Sequence, residues 1–432
     1  MWKLEPPFEE RAGKLFIDGV AAGSIAEQFG TPCYVYSEKR IRENYQRLLH
    51  AFQSNYKNFK LFYAIKANNN LSVIKILRSE GCGADCSAPS EIFFARMAGF
   101  SPAEMLYTGN YNSVGEFEYA VESGATLNLD DVSHLEKILK ISKKTGKLPP
   151  RICFRVNPGV GKGGFEQLVF AGPDAKFGVP ADQVFSAYEQ AKKAGFKRFG
   201  VHMMTGSNIR EPEYFAAITE KLLSVAGDAA QKLGIQFDFV NIGGGFGVPY
   251  KPGEEDLDIK KTAAGVVEKF REGCEKYSLG EPELLAEPGR YLTADAGILL
   301  ARVHSIKHAA KTFVGCDAGM NTLLRPAIYN AYHEILVDDK IGVKEKKAVN
   351  VCGPICENTD QFAKDRELPP VEEGDLLAVL KAGAYGFAMS SRYNSRPMCA
   401  EVLVGNGQAD LIREAETHTD LLYRQRLPAR LL

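Results

Sequence analysis

The sequence predicts an eight-stranded parallel (β/α)8 barrel, of the TIM type, joined to a smaller β-rich domain. Three observations carry that prediction. At 432 residues the chain exceeds the usual limit for a single core, so two or three domains are expected, one of them large. Eight short apolar runs recur before residue 290, with helical stretches between them. Beyond about Tyr291 the texture changes to short β-rich runs separated by glycine, proline and charged turns.

The elements follow in order. Residues 1–36 take in the strand-like stretches LFIDGVAA (15–22) and all but the last residue of CYVYS (33–37), which are assigned to the β domain, a sandwich or barrel. From Ser37 to Phe52, Ile41, Tyr45, Leu48, Leu49 and Phe52 fall at helical spacing, so a helix precedes the first barrel strand. The strand candidates are LFYAI near 61, CGADC near 82, MLYTG near 105, TLNLD near 126, RICFRVN near 151, FGVHMM near 199, FDFVNI near 237 and ELLAE near 283. Strands alternating with helices require parallel pairing, because only a parallel connection needs a long crossover. An open, doubly wound sheet is the alternative; eight units over roughly 250 residues favour a closed barrel. The barrel thus spans 37–290. It is inserted between the N-terminal strands and a C-terminal β domain at 291–432, whose runs are ILLARVHSI, TFVGCDA, KAVNVCG, DLLAVL and AEVLVG. GVGKGG (159–164) lacks the strand-to-helix setting of a dinucleotide fingerprint and reads as a flexible loop.

Composition narrows the function classes. Hydrophobic residues at 45% and charged residues at 25% describe an ordinary globular chain. The 53 basic residues balance 54 acidic ones, which leaves no net field to attract nucleic acid or an anionic membrane. The N-terminal segment has acidic residues and prolines where a secretory signal needs a basic and then an apolar stretch, and no run approaches a membrane span, so a cytoplasmic protein is expected. Nine scattered cysteines show neither a disulfide framework nor zinc-site spacing, and no metal is expected.

In a βα barrel the active site lies at the carboxyl ends of the strands. Here those ends carry Lys66, Asp85, Arg155 with Asn157, His202, the glycines Gly243, Gly244 and Gly245, and Glu287. Lys66 follows an apolar strand, where desolvation would free its amine as a nucleophile for a Schiff base; the bland reading is a solvated rim lysine. Three consecutive glycines let backbone amides approach an anion, at the place where barrels commonly hold phosphate, and Ser207 adds a hydroxyl. Lysine plus phosphate cradle suits pyridoxal phosphate, although Schiff-base aldolases share both features. Glu287 discriminates, because a carboxylate beside a pyridine nitrogen keeps it protonated; the competing role for Glu287 is a salt bridge to Arg290.

Together these residues resemble the barrel-type pyridoxal-phosphate decarboxylases, relatives in fold of alanine racemase, over nearly the whole chain. YAIKAN (63–68) resembles the family's cofactor-lysine motif, GCGADCSAPSE (81–91) its second strand, NIGGGFG (241–247) its phosphate loop and EPGR (287–290), with Gly289 and Arg290, its pyridine-binding motif. RPAIY (325–329), CENTD (356–360), GAYG (383–386) and YNSRP (393–397) resemble the diaminopimelate-specific branch. The resemblance implies pyridoxal phosphate on Lys66, with Asp85, His202, Met204, Ser207 and Tyr385 among its contacts. It implies substrate binding by Arg290, Arg325, Tyr329, Glu357 and Tyr385. Glu357 stands where polyamine-type relatives carry aspartate, and would grip a distal amino group. Cys356 would reprotonate the carbanion, since a thiol still carries its proton at neutral pH; otherwise it is a buried apolar cysteine. The family's cysteine and glutamate reach into a neighbouring subunit's site, which implies a homodimer with shared active sites.

Three departures stand out. Where the family has HxHIGS, this chain has HMMTGS (202–207), so Met204 replaces a ring-stacking histidine and His202 supports the site. The loop from Gly161 to Phe177 lacks the usual histidine, and CENTD replaces CESGD. Three readings stay open: decarboxylation of meso-2,6-diaminopimelate to L-lysine, decarboxylation of another diamino acid such as ornithine, a D-amino acid or carboxynorspermidine, and a catalytically silent cofactor-binding homologue.

Overall fold

The computed structural model describes residues 4–431. Two compact units emerge: one comprises Ile41–Pro249 and Gly253–Leu292, the other the chain through Arg40, Tyr250–Pro252 and the chain from Thr293 onward.

The first unit is a closed parallel barrel of β1 (Phe59–Ala64), β2 (Gly83–Cys86), β3 (Met105–Tyr107), β4 (Thr126–Leu129), β5 (Ile152–Asn157), β6 (Phe199–Met203), β7 (Phe237–Asn241) and β8 (Glu283–Ala286). Each strand pairs with the next, and β8 pairs with β1 through Ala286 opposite Leu61, which closes the circle. All eight expected strands are present. The helix expected from Ser37 runs Glu38–Gln53 and buries Ile41, Tyr45, Leu48 and Phe52.

The barrel is filled by side chains. Phe62, Leu106, Cys153 and Phe239 come from β1, β3, β5 and β7, and with Leu285 they form one buried cluster, the alternate-strand layer expected of this fold. The intervening strands make room for the two rings. A Cβ on Gly83 of β2 would lie 2.4 Å from the Phe62 ring, and one on Gly200 of β6 would lie 2.2 Å from the Phe239 ring. Outside the barrel, Ser113 and Glu116 close a reciprocal capping box on helix Val114–Ser123, and Asn70 caps helix Leu71–Ser79.

The second unit is built on the twelve-residue strand Gly297–His308, which pairs antiparallel with Cys33–Ser37, Thr312–Cys316 and Leu376–Val379. Ala400–Gly405 pairs parallel with Cys33–Ser37 on its other side. LFIDGVAA does not join this sheet. Its strands Lys14–Ile17 and Val20–Ala21 form a separate antiparallel meander with Phe8–Arg11, whose Leu15 and Ile17 are buried with Cys33, Val35, Ile298 and Val402. The unit also carries two short helices, Ala22–Phe29 and Arg325–Tyr329.

GVGKGG has no regular structure, yet it is pinned: the Lys162 amide donates to the Thr205 carbonyl at 3.3 Å and the Gly164 amide to the Ser207 carbonyl at 2.9 Å. Among the described residues no helix is long and apolar enough to cross a membrane.

Candidate active site

At the barrel mouth, β1 ends in a single 3-10 turn, Ile65–Ala67, that lifts Lys66 clear of the strand. Its Nζ lies 2.6 Å from Asp85 Oδ2 and 3.3 Å from Ser87 Oγ. The expected desolvation is not seen: the Lys66 side chain is 42% exposed, while that of Asp85 is 1% exposed. The amine is therefore held by a buried carboxylate rather than stripped of solvent. Burial first, and then the charge of Glu287, push the Asp85 carboxyl above its usual range, against the opposing pull of Lys66 and His202. Asp85 Oδ1 is buried with no hydrogen-bond partner among the described residues.

Glu287 follows β8 and is held at both carboxylate oxygens. His202 Nε2 lies 3.0 Å from Oε2, and Asn241 Nδ2 donates to Oε1 at 2.7 Å. A carboxylate only accepts, so Nε2 carries a proton and donates it to Glu287. Burial alone would raise the Glu287 carboxyl, but His202, Lys66 and Asn241 outweigh it and hold the group below its usual range. Ionised Glu287 thus stabilises the fold above the ordinary carboxylate range, and that contribution is lost as pH falls through the lowered value. The alternative partner is not used: Glu287 makes no ion pair with Arg290, whose Nη2 donates to Ser207 Oγ at 3.3 Å. Gly289, in the same turn, accepts from the Leu292 amide.

The three glycines are dictated first by neighbouring backbone. A Cβ on Gly243 would lie 2.2 Å from the Met203 carbonyl, one on Gly244 2.4 Å from the Glu287 carbonyl, and one on Gly245 2.9 Å from the Gly206 carbonyl. Gly243 and Gly245 also adopt positive φ, 70° and 98°. The first two amides are engaged internally, Gly243 with Asn241 Oδ1 at 2.9 Å and Gly244 with Met204 Sδ at 3.3 Å. The amides of Gly245 and Phe246 donate to no acceptor among the described residues. Met204 is accordingly a wall of the loop, its sulfur accepting from a glycine. His202 is buried against Glu287 and supports it.

These residues fit pyridoxal phosphate. Two uncommitted amides and the Ser207 hydroxyl suit a phosphate, ionised Glu287 suits a protonated ring nitrogen, and the Asp85-held amine of Lys66 suits an aldehyde. Asn241 has a part in this network that its sequence position, a polar residue closing a strand, does not reveal. Arg155, on β5, is buried 3.7 Å from Asp130 and over the Phe177 ring at 4.5 Å.

The remaining predicted residues belong to the β-rich unit. Arg325 is buried, its guanidinium 4.4 Å from the Tyr250 ring centroid and its Nη1 2.8 Å from His333 Nε2. Tyr329 ends the same short helix, and Tyr385 adopts a left-handed φ of 55°, a strained setting for an aromatic residue. Cys356 and Glu357 are exposed on one loop. Asn394 Nδ2 donates to Cys356 Sγ at 3.1 Å, and the Tyr393 hydroxyl to Glu357 Oε1 at 3.3 Å. The loop is fastened by Asp360, whose carboxylate accepts from the Ile355 amide at 2.6 Å and also from the Met320 amide. The YNSRP stretch signalled Tyr393 and Asn394; nothing in the sequence signalled His333.

Comparison with known proteins identifies the family. The family profile described as pyridoxal-dependent decarboxylase, pyridoxal binding domain, matches residues 39–294. The chain is 46% identical to the diaminopimelate decarboxylase of Methanothermobacter thermautotrophicus over 97% of each chain. It is 40% identical to that of Archaeoglobus fulgidus, over 98% of this chain and 100% of the other. The crystal structure of diaminopimelate decarboxylase from M. jannaschii in co-complex with L-lysine is similar with a TM-score of 0.91 at 35% identity, over 98% of this chain and 99% of that one. The buried carboxylate network around a lysine at the mouth of a parallel barrel, and these similarities over essentially the full length, establish that the chain belongs to the diaminopimelate decarboxylase family of pyridoxal-dependent decarboxylases.

Proposed function

We propose that the protein decarboxylates meso-2,6-diaminopimelate to L-lysine and carbon dioxide, using pyridoxal phosphate. The observation that carries this reading is the Glu287 carboxylate clamped by His202 and Asn241 in the same barrel mouth as the Asp85-held amine of Lys66. The L-lysine in the M. jannaschii relative's structure supports the product. When bound, pyridoxal phosphate supplies an electron sink for the pair left behind by departing carbon dioxide.

The residues divide the remaining work. Lys66 would hold the cofactor's aldehyde carbon and yield it to the substrate amine. Glu287 would keep the proton on the ring nitrogen, with His202 and Asn241 keeping Glu287 ionised. Ser207 and the Gly245 and Phe246 amides would bind phosphate, with Tyr385 assisting, and Met204 would line the loop they belong to. Arg290, Arg325 and Tyr329 suit the substrate's carboxylates, because a guanidinium binds a carboxylate through two parallel hydrogen bonds. Glu357 would bind the distal ammonium. Cys356 Sγ would return a proton to the carbon that has lost carbon dioxide. Its exposure supports a homodimer in which Cys356 and Glu357 serve the neighbouring subunit's site.

The test is to incubate the purified protein with pyridoxal phosphate and meso-diaminopimelate and to measure lysine and carbon dioxide together, with ornithine, arginine and carboxynorspermidine in parallel. Stoichiometric lysine is the expected result. Turnover of another diamino acid instead would transfer the reading to a sister decarboxylase, an outcome that Met204 permits, and no turnover at all would sink both.

A further inference from the structure

Asn241 closes a small circuit at the barrel mouth. Its Nδ2 donates to Glu287 Oε1 at 2.7 Å, and its Oδ1 accepts from the Gly243 amide at 2.9 Å. The Glu287 amide in turn donates to the Gly243 carbonyl at 2.8 Å. The side chain is buried, and the orientation of its amide is fixed by its partners: an N–H can only donate and a carboxylate can only accept. One side chain therefore ties the carboxylate expected at the ring nitrogen to the loop whose next free amides, Gly245 and Phe246, are expected at the phosphate.

We propose that Asn241 is a positioning residue that keeps Glu287 ionised and sets the span between the ring-nitrogen and phosphate ends of bound pyridoxal phosphate. This rests on the reading of the mouth as a pyridoxal-phosphate site. The competing role is structural: an asparagine bonding its own backbone two residues on is a common turn device, and on that account only stability depends on it. The Glu287 arm separates the two accounts, because a turn needs no donor toward a buried carboxylate.

Asn241→Asp is the discriminating variant. The new carboxylate can still accept from the Gly243 amide but can no longer donate to Glu287, and it brings a like charge against it. The measurement is the 15N shift of the ring nitrogen in labelled pyridoxal phosphate bound to the intact protein, titrated with pH, alongside the pH profile of kcat/KM. The expected result is an acid limb displaced upward by about one pH unit or more, with the ring-nitrogen proton transferred onto Glu287 under conditions where the unaltered protein keeps it on the nitrogen. On the same grounds kcat should fall about 10- to 100-fold while KM stays within about threefold. Asn241→Ser, which introduces no charge, keeps the question answerable if the aspartate variant does not fold. It should displace the limb in the same direction by less and weaken cofactor binding about fivefold through the lost loop bond. A 15N titration and acid limb that coincide with those of the unaltered protein, in a variant that folds and binds cofactor, would overturn the role of Asn241. Failure of the unaltered protein to bind pyridoxal phosphate would instead overturn the parent reading and this inference with it.

Discussion

The barrel mouth and the Cys356 loop carry the two halves of the proposed chemistry, and their construction differs. In the mouth, Asp85, His202, Asn241 and Glu287 are buried and hydrogen-bonded, so the two carboxylates and their donors act in a low-dielectric setting that is fixed before anything binds. On the loop, Cys356 and Glu357 are exposed and held by side-chain contacts from Asn394, Tyr393 and Thr359. The remaining cysteines are buried or half-buried. On the proposed reading, electrostatic tuning is completed within one chain, whereas the proton donor is left open for a second subunit to cover.

The largest effect that sharpens this contrast is expected from Lys66→Ala. It should lower kcat by about 1,000-fold or more and abolish the absorbance band of lysine-bound cofactor; an unchanged spectrum would remove Lys66 from the site. Cys356→Ala should lower kcat about 100-fold, within the range for a lost general acid, and leave that band and the melting temperature as they were. Mixing the two inactive variants should then restore about a quarter of normal activity, since random pairing of two chains gives dimers with one intact site; no recovery would confine each site to a single chain. Glu357→Gln should act on binding, raising KM for diaminopimelate about tenfold with kcat held within a few-fold, and a fall confined to kcat would contradict the assigned grip on the distal ammonium. Met204→His should have the smallest effect, a change in cofactor affinity within about fivefold measured by fluorescence titration, because it exchanges one weak loop contact for another.

Much of the barrel is legible because each strand is a short apolar run buried on both faces, and a chemical group stands at its end. The strands that escaped notice lack that signal. Gln361–Leu368 carries four consecutive charged residues, Lys364, Asp365, Arg366 and Glu367, between its few apolar ones, and Gln408–Arg413 is an exposed edge. Neither contrasts with the loops around it. Ile335–Val337 is simply too short. In the site, residue types were readable but partnerships were not. Lys66 and Asp85 both stood out, yet their ion pair needs the register that sets Ala64 opposite Asp85. The glycine triplet was readable as a cradle, while its first cause, the carbonyls of Met203 and Glu287 packed against it, depends on three strand ends converging.

The strand Cys33–Ser37 lies between Gly297–His308 and Ala400–Gly405 in its sheet. It leaves the ribosome long before either neighbour exists, by about ten to fifty seconds at usual rates of synthesis for Gly297 alone. Throughout that interval CYVYS, a strand buried along its whole length once folded, has both edges open, at the stage of a protein's life when edge pairing with another chain is most hazardous. The nascent chain therefore has a window of vulnerability that the finished molecule conceals, and a circular permutant that begins at the barrel and ends with the present N-terminal segment would close it.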